Sequence, residues 1–255
     1  MPITIKSAQE LKMMREASKI NVEALIALRE AVRPGITTKE LDAIAERIIR
    51  KYGASPAFLG YPPGSRHPYP ATINASINEE LVHGIPSDRV LAEGDIISLD
   101  CGTVFNGWVS DAAFTIGVGA ISPEVQRLLD VTEAALYEGI RMSVAGHRIG
   151  DISYAIQVYV ESHGYNVVRE YSGHGVGRSM HEPPSVPNWG KPHRGFRIRP
   201  GMTFAVEPMV MLGRPETCVL SDHWTVVTQD GSLCAHFEHT VAVTENGPEI
   251  LTKLE

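Results

Sequence analysis

Apolar positions in the first fifty residues recur with a helical period and stop at turn residues. In "SAQELKMMREASKINVEALIALREAV", Leu11, Met14, Val22, Leu25 and Leu28 keep mostly to one face, and Pro34-Gly35 ends the run. Ser7 and Glu10 have the spacing of a capping box. "TTKELDAIAERIIRKYG" predicts a second helix, with Thr37 and Glu40 as its capping box, Leu41, Ile44 and Ile48 as its stripe and Gly53 as its stop. A second helical pair is written further on. "SPEVQRLLDVTEAALYEGIRM" opens with Ser122 as cap and Pro123 at the first helical position, and "DISYAIQVYVESHGY" follows the short link "AGHRIG". Between the pairs the pattern changes to strands. "SLDCGTVFNGWVSDAAFTI" (98–116) reads as two strands about a turn at Asn106-Gly107.

The order helix, helix, strand, strand occurs twice. Set 112 residues apart, Val32 falls on Val144, Ala43-Ile44 on Ala155-Ile156, and Ile48 on Val160. "EGDIISLD" (93–100) lies over "PGMTFAVE" (200–207), matching Asp100 with Glu207, and "SDAAFTIGV" (110–118) lies over "FEHTVAVTE" (237–245), matching Asp111 with Glu238. The expected fold is an α+β chain of two pseudo-twofold-related halves, roughly 7–120 and 121–250, around one mostly antiparallel sheet. No linker or low-complexity segment divides residues 1–255, so a single domain is expected.

Composition narrows the class. A chain of 255 residues with 43% hydrophobic and 21% charged residues reads as a soluble globular protein. No apolar run approaches the ~18 residues of a membrane helix, so no membrane partner is expected. "MPITIKSAQELKMMRE" lacks the apolar core of a secretion signal. Cys101, Cys218 and Cys234 are few, odd in number and scattered, which suits a reducing cytoplasm better than a disulfide scaffold. A net charge of −7 argues against nucleic acid as the main ligand. The exception is "GKPHRGFRIRP" (190–200), where Lys191, Arg194, Arg197 and Arg199 make either a solvated basic loop or a docking patch.

The strand acids carry the chemistry. If the two strand pairs meet about a pseudo-twofold axis, Asp100, Asp111, Glu207 and Glu238 converge, with Asp100 and Asp111 opposite or one step diagonal across the hairpin. Four adjacent carboxylates cannot all ionise without compensation, and two divalent metals would neutralise them. "GHGVG" (173–177) adds His174, between glycines that let the backbone come close to a ligand. One imidazole with four carboxylates favours manganese, iron or cobalt, with zinc also compatible, over copper or an iron–sulfur cluster. Two such ions about 3.5–4 Å apart suit hydrolysis of a peptide or phosphate bond.

At these residues the chain resembles the type I methionine aminopeptidases of the short bacterial form. The likeness runs from the first helix to "ENGPEILT" through "INEELVHGIP", "LDCG", "SDAAFTI", "SGHGVGRSMHEPPSVP", "PGMTFAVEPM" and "WTVVTQDGSLCAHFEHT". It implies the pita-bread (creatinase/aminopeptidase-like) fold and metal-dependent removal of the initiator methionine from nascent polypeptides whose second residue is small. By motif, Asp100 would chelate one metal and Asp111 bridge both, while His174 and Glu207 would hold the other and Glu238 bridge. Glu207 is also given a part in proton transfer. The resemblance sets His83 of "VHGIP" against the substrate backbone and His181 against the scissile carbonyl. Phe58, Tyr61, Tyr69, Met180 and Trp224 fall at or near its methionine pocket. One departure stands out. "PPGSRHPYPATINAS" (62–76) is longer than the usual bacterial segment, which leaves the placement of Phe58 and Tyr61 open, and it puts Asn74 where many relatives have cysteine or threonine.

The resemblance further implies a monomer, with transient ribosome association as a further expectation. The nearest rival is a prolidase or aminopeptidase P of the same fold, although those usually carry an extra N-terminal domain. A type II methionine aminopeptidase would need a helical insertion that is not visible. A non-catalytic binding module would typically lose metal ligands, and a metal-dependent phosphatase would need a phosphate cradle. The chain's own "MPIT" start satisfies the small-second-residue rule, so Met1 is expected to be removed by the protein's own activity.

Overall fold

A computed structural model describes residues 2–254; the expected cleavage site at Met1 lies outside the described residues. Four helices form in the predicted order, three of them from the predicted caps. Helix α1 spans Ala8–Ala31 and α2 spans Thr38–Lys51, with Ser7–Glu10 and Thr37–Glu40 capping boxes closed at their starts. Helix α3 spans Pro123–Arg141, capped by Ser122. Helix α4 spans Ile149–Ser162, two residues earlier than the apolar run suggested, because Asp151 reaches back to the Arg148 N–H at 2.7 Å and stabilises one more half-turn.

Two helix faces differ from the sequence reading. On α2 the buried line is Leu41, Ala45 and Ile49, while Ile44 and Ile48 are only half-buried. The larger side chains sit at the edge of the interface, and Ala45 lets the helix approach closely. The caps of α2 and α4, Thr37 and Arg148, are 111 residues apart, one less than the apolar alignment implied. On α1, Val22 is half-buried and its neighbour Asn21 takes the buried position. Asn21 donates to the Cys101 carbonyl at 2.7 Å and accepts from the Thr103 hydroxyl at 3.0 Å, so a buried amide pins α1 to the sheet with its polar atoms satisfied.

The central sheet has nine strands, and every pairing in it is antiparallel. Its spine runs Ile96–Phe105, Trp108–Gly117, Glu238–Thr244, Thr203–Val206, Ser172–Gly175 and Glu182–Pro187, with Ile73–Ile77 paired outside the first of these. Asn106 and Gly107, at φ 50° and 74°, make the two-residue hairpin turn read from the sequence. Alternation then sorts the two faces. Leu99, Cys101, Ala112, Phe114, Phe204, Val206, Val241 and Val243 join the main core with Leu25, Leu28, Leu136 and Ile156 from the helices. Asp100, Asp111, Glu207 and Glu238 occupy the opposite parity. The helices cover one face and the acids are left on the other.

Candidate functional site

Strand register brings the acids together. Asp111 lies across from Gly102, and Asp100 across from Ala113, so the two aspartates are diagonal neighbours on one face. Glu238 lies across from Ala113, two residues along from Asp111 on the other side. His239 pairs with Val206, and continuing that register by one residue sets Glu207 facing Glu238. Thr240 locks the join: its hydroxyl accepts from the Asp111 N–H at 3.1 Å and donates to the Asp111 carbonyl at 2.7 Å.

His174 arrives from the far side of the sheet. Its Nε2 lies 3.7 Å from Asp111 Oδ2 and 3.5 Å from Glu207 Oε1, and its Nδ1 is 3.0 Å from the Gly175 carbonyl. A carbonyl can only accept, so Nδ1 carries the proton and Nε2 presents a lone pair toward the acids. The glycines around it act differently from the sequence expectation. A Cβ on Gly173 would stand 2.4 Å from the Ala205 carbonyl oxygen, and one on Gly175 2.4 Å from that of Pro183. They permit close approach of neighbouring backbone, not of a ligand.

Ligand atoms of Asp111, His174 and Glu238 lie within 4.8 Å of one another. Asp100 accepts from Asn74 Nδ2 at 2.6 Å, while Asp100 Oδ1, Asp111 Oδ1 and Glu238 Oε1 are buried with no hydrogen-bond partner. Burial raises the Asp100 pKa to about 7. Asp111 and Glu238 are raised by burial first and by neighbouring carboxylates second, and Glu207 by burial and then by Asp100. The imidazoles move the opposite way, since burial opposes their protonation. His174 and His236 fall to about 3, and His83 to about 4. Orphaned buried carboxylate oxygens beside a neutral imidazole lone pair fit divalent cations.

One cavity of about 350 Å³ is lined by every residue that the sequence offered as a metal ligand, catalytic group or methionine-pocket side chain. Asp100, Asp111, His174, Glu207 and Glu238 make its floor, and Phe58, Tyr61, Tyr69, His83, Met180, His181 and Trp224 its walls and rim. Phe58 and Tyr61 line the cavity beside the longer segment. Trp224 holds it by donating from Nε1 to the His67 carbonyl at 3.1 Å, with its ring edge-on to Tyr69 at 5.1 Å. Gly102 keeps the wall open: a Cβ there would stand 2.8 Å from Met180 Cε and 2.9 Å from Phe58. His236 was missed. It is buried, lines the cavity, and puts Nε2 3.7 Å from Glu207 and 3.9 Å from Glu238. Its place two residues before Glu238 in "AHFEHT" was the available signal, although the structure puts the two on successive strands, Cys234–His236 and Glu238–Thr244.

This fold and acid-lined cavity define a metallopeptidase. Residues 12–245 match the model of Metallopeptidase family M24, whose fold is the pita-bread arrangement of helices on an antiparallel sheet. A methionine aminopeptidase from Clostridium acetobutylicum is 53% identical over 254 residues, covering 99% of this chain and 100% of that one. The crystal structure of methionine aminopeptidase from Thermotoga maritima superposes with a TM-score of 0.95 at 45% identity, covering 99% and 100% of the two chains. Prolidase from Pyrococcus furiosus shares the fold alone, with a TM-score of 0.80 at 24% identity over 98% of this chain and 66% of that one. The chain belongs to the methionine aminopeptidases of family M24.

Proposed function

We propose that the protein removes the N-terminal methionine from nascent polypeptides whose second residue is small, using two divalent ions held by Asp100, Asp111, His174, Glu207 and Glu238. The observation that carries this reading is the single cavity with an acidic floor and an apolar wall of Phe58, Tyr69, Met180 and Trp224, of a size and chemistry suited to a methionine side chain. When bound, the two ions, of the manganese, iron, cobalt or zinc class, would supply an activated water and an electrophile for the carbonyl. The chain's own groups do the rest. His83 would meet the substrate backbone, His181 would donate to the scissile carbonyl oxygen, and Glu207 would pass a proton between the attacking water and the departing amine. Tyr69, fully buried with its hydroxyl donating toward the Gly84 and Ile73 carbonyls, keeps the apolar wall rigid.

The finer expectations form part of the same proposal. The protein acts as a cytoplasmic monomer built as one domain of two related halves, and its three cysteines are free. No helix among the described residues is long and apolar enough to cross a membrane. Lys191, Arg194, Arg197 and Arg199 are all exposed and make no ion pair among the described residues, which leaves them free for transient docking on the polyanionic ribosome. Salt-sensitive co-sedimentation that is lost on charge reversal of these four would support docking; sedimentation indifferent to both would remove it.

The deciding assay incubates the metal-stripped protein with each divalent metal and the peptides Met-Ala-Ser and Leu-Ala-Ser. Metal-dependent release of methionine alone is expected. Cleavage of Xaa-Pro dipeptides in its place would assign the cavity to prolidase chemistry.

A further inference from the structure

His181 sits at the cavity rim, on the segment joining the Ser172–Gly175 and Glu182–Pro187 strands. Its ring lies 4.2 Å from that of His174 and 5.4 Å from that of Tyr61. One polar contact stands out: Tyr61 Oη is 2.7 Å from His181 Nδ1. A neutral imidazole carries one proton, and the partner of one nitrogen decides which chemistry the other can offer. If Nδ1 held the proton, Nε2 would present a lone pair and repel a carbonyl oxygen. If Nε2 holds it, the ring can donate.

Two physical facts choose between these. Burial raises the Tyr61 pKa, so its hydroxyl keeps its proton and remains a donor. An imidazole nitrogen is also a better acceptor than a phenolic oxygen, so the favourable pairing is O–H to N. We infer that Tyr61 is a positioning residue: its hydroxyl donates to His181 Nδ1 and fixes the proton on Nε2, which makes no other hydrogen bond among the described residues and is left to donate to the substrate. This rests on the reading that His181 meets the scissile carbonyl, and supplies the reason it does so as a donor.

The backbone explains how the longer segment leaves this pairing intact. The Tyr61 N–H donates to the Phe58 carbonyl at 2.9 Å, and the Tyr69 N–H to the Tyr61 carbonyl at 2.7 Å. Gly60 N–H closes a second bridge to the Tyr69 carbonyl at 2.8 Å. The stretch 62–68 is thus a loop tied at its base, and its length can vary without moving Tyr61.

The test is Tyr61→Phe, which keeps the ring and removes the donor. Long-range ¹H–¹⁵N spectra of the zinc-loaded, ¹⁵N-labelled protein report the His181 tautomer directly. Wild type should show Nε2–H, and Tyr61→Phe a mixture, with kcat on Met-Ala-Ser lowered roughly 3–10-fold and metal affinity unchanged, the size expected for one ordinary hydrogen bond. In a His181→Ala background the same change should have no further effect on kcat. Nδ1–H in wild type, or a Tyr61→Phe protein with unaltered tautomer and kcat, would overturn the Tyr61 assignment. A His181→Ala variant with unaltered kcat would overturn the role of His181 itself, and with it the catalytic half of the inference, while the tautomer spectrum still decides the hydrogen bond.

Discussion

The floor and the rim of the cavity use overlapping residue types under opposite conditions. On the floor, Asp100, Asp111 and Glu238 each bury an unpartnered oxygen, and neither ring nitrogen of His236 has a partner. On the rim, Tyr61 pairs with His181, Trp224 with the His67 carbonyl, and Tyr69 with two carbonyls. Leaving a buried polar group unsatisfied costs about 1–3 kcal/mol. The floor therefore carries an unmet demand for positive charge and the rim carries none. Such a floor is tolerated because the opposite parity of the same strands is packed into the main core. One face of the sheet stabilises the fold, and the other is released for chemistry.

That contrast can be broken most severely on the floor. Asp111→Ala and Glu238→Ala should lose bound metal and turnover together, read by calorimetric metal titration beside the Met-Ala-Ser assay. Full activity of a metal-supplemented Asp111→Ala protein would remove the basis for a metal floor. On the rim, His181→Ala should keep its metal and lower kcat by about 10²–10³, as for loss of one oxyanion donor. A variant that also fails to bind metal would transfer His181 to the floor.

Stability against pH sharpens the same contrast in protein stripped of metal. The floor carboxylates have raised pKa values, so their contribution to stability is lost as pH rises through them, about 7 for Asp100 and well above the ordinary carboxylate range for Asp111 and Glu238. The depressed imidazoles of His83, His174, His236 and His239 have the opposite sign, but their contribution is fully present above about 6.5, the ordinary histidine value. From pH 6.5 upward the carboxylates should dominate, and the melting temperature of the metal-free protein should fall. Added manganese should flatten the profile. A metal-free profile that rises over this range would show the floor to be compensated already. The smallest effect is expected in the wall. Gly102→Ala drives a methyl into Met180 and Phe58 and should cost about 1–3 kcal/mol in a urea titration, as overpacking does. It should also raise KM for Met-Ala-Ser more than it lowers kcat, and unchanged KM would place the methionine side chain elsewhere.

Much of the site was legible because strands write their faces in steps of two. Asp100 and Asp111 flank an Asn-Gly turn, so local rules put them opposite or diagonal to one another, and the register chose the diagonal. Glu207, Glu238 and His174 were legible as motifs, and the capping boxes of α1 and α2 as spacings. The buried line of α2 was misread because apolar size was taken for burial, when the packing surface selects Ala45 over Ile44. His236 was overlooked because its donor value depends on two carboxylates brought in by other strands.

What the sequence determined alone is the order and type of the four helices and of the strands that carry the acids, the parity of each acid on its strand, and the family to which the chain belongs. These depend on side-chain periodicity and on short-range caps and turns, which act within a few residues. The tertiary structure decided which surfaces meet. Asp111 and Thr240, 129 residues apart, share two hydrogen bonds, and Tyr61 reaches His181 across 120. Contacts of that separation are set by strand register, by glycines that admit a neighbouring carbonyl, and by the core that fixes each strand in place. No local preference encodes them, because each depends on the simultaneous packing of all the others.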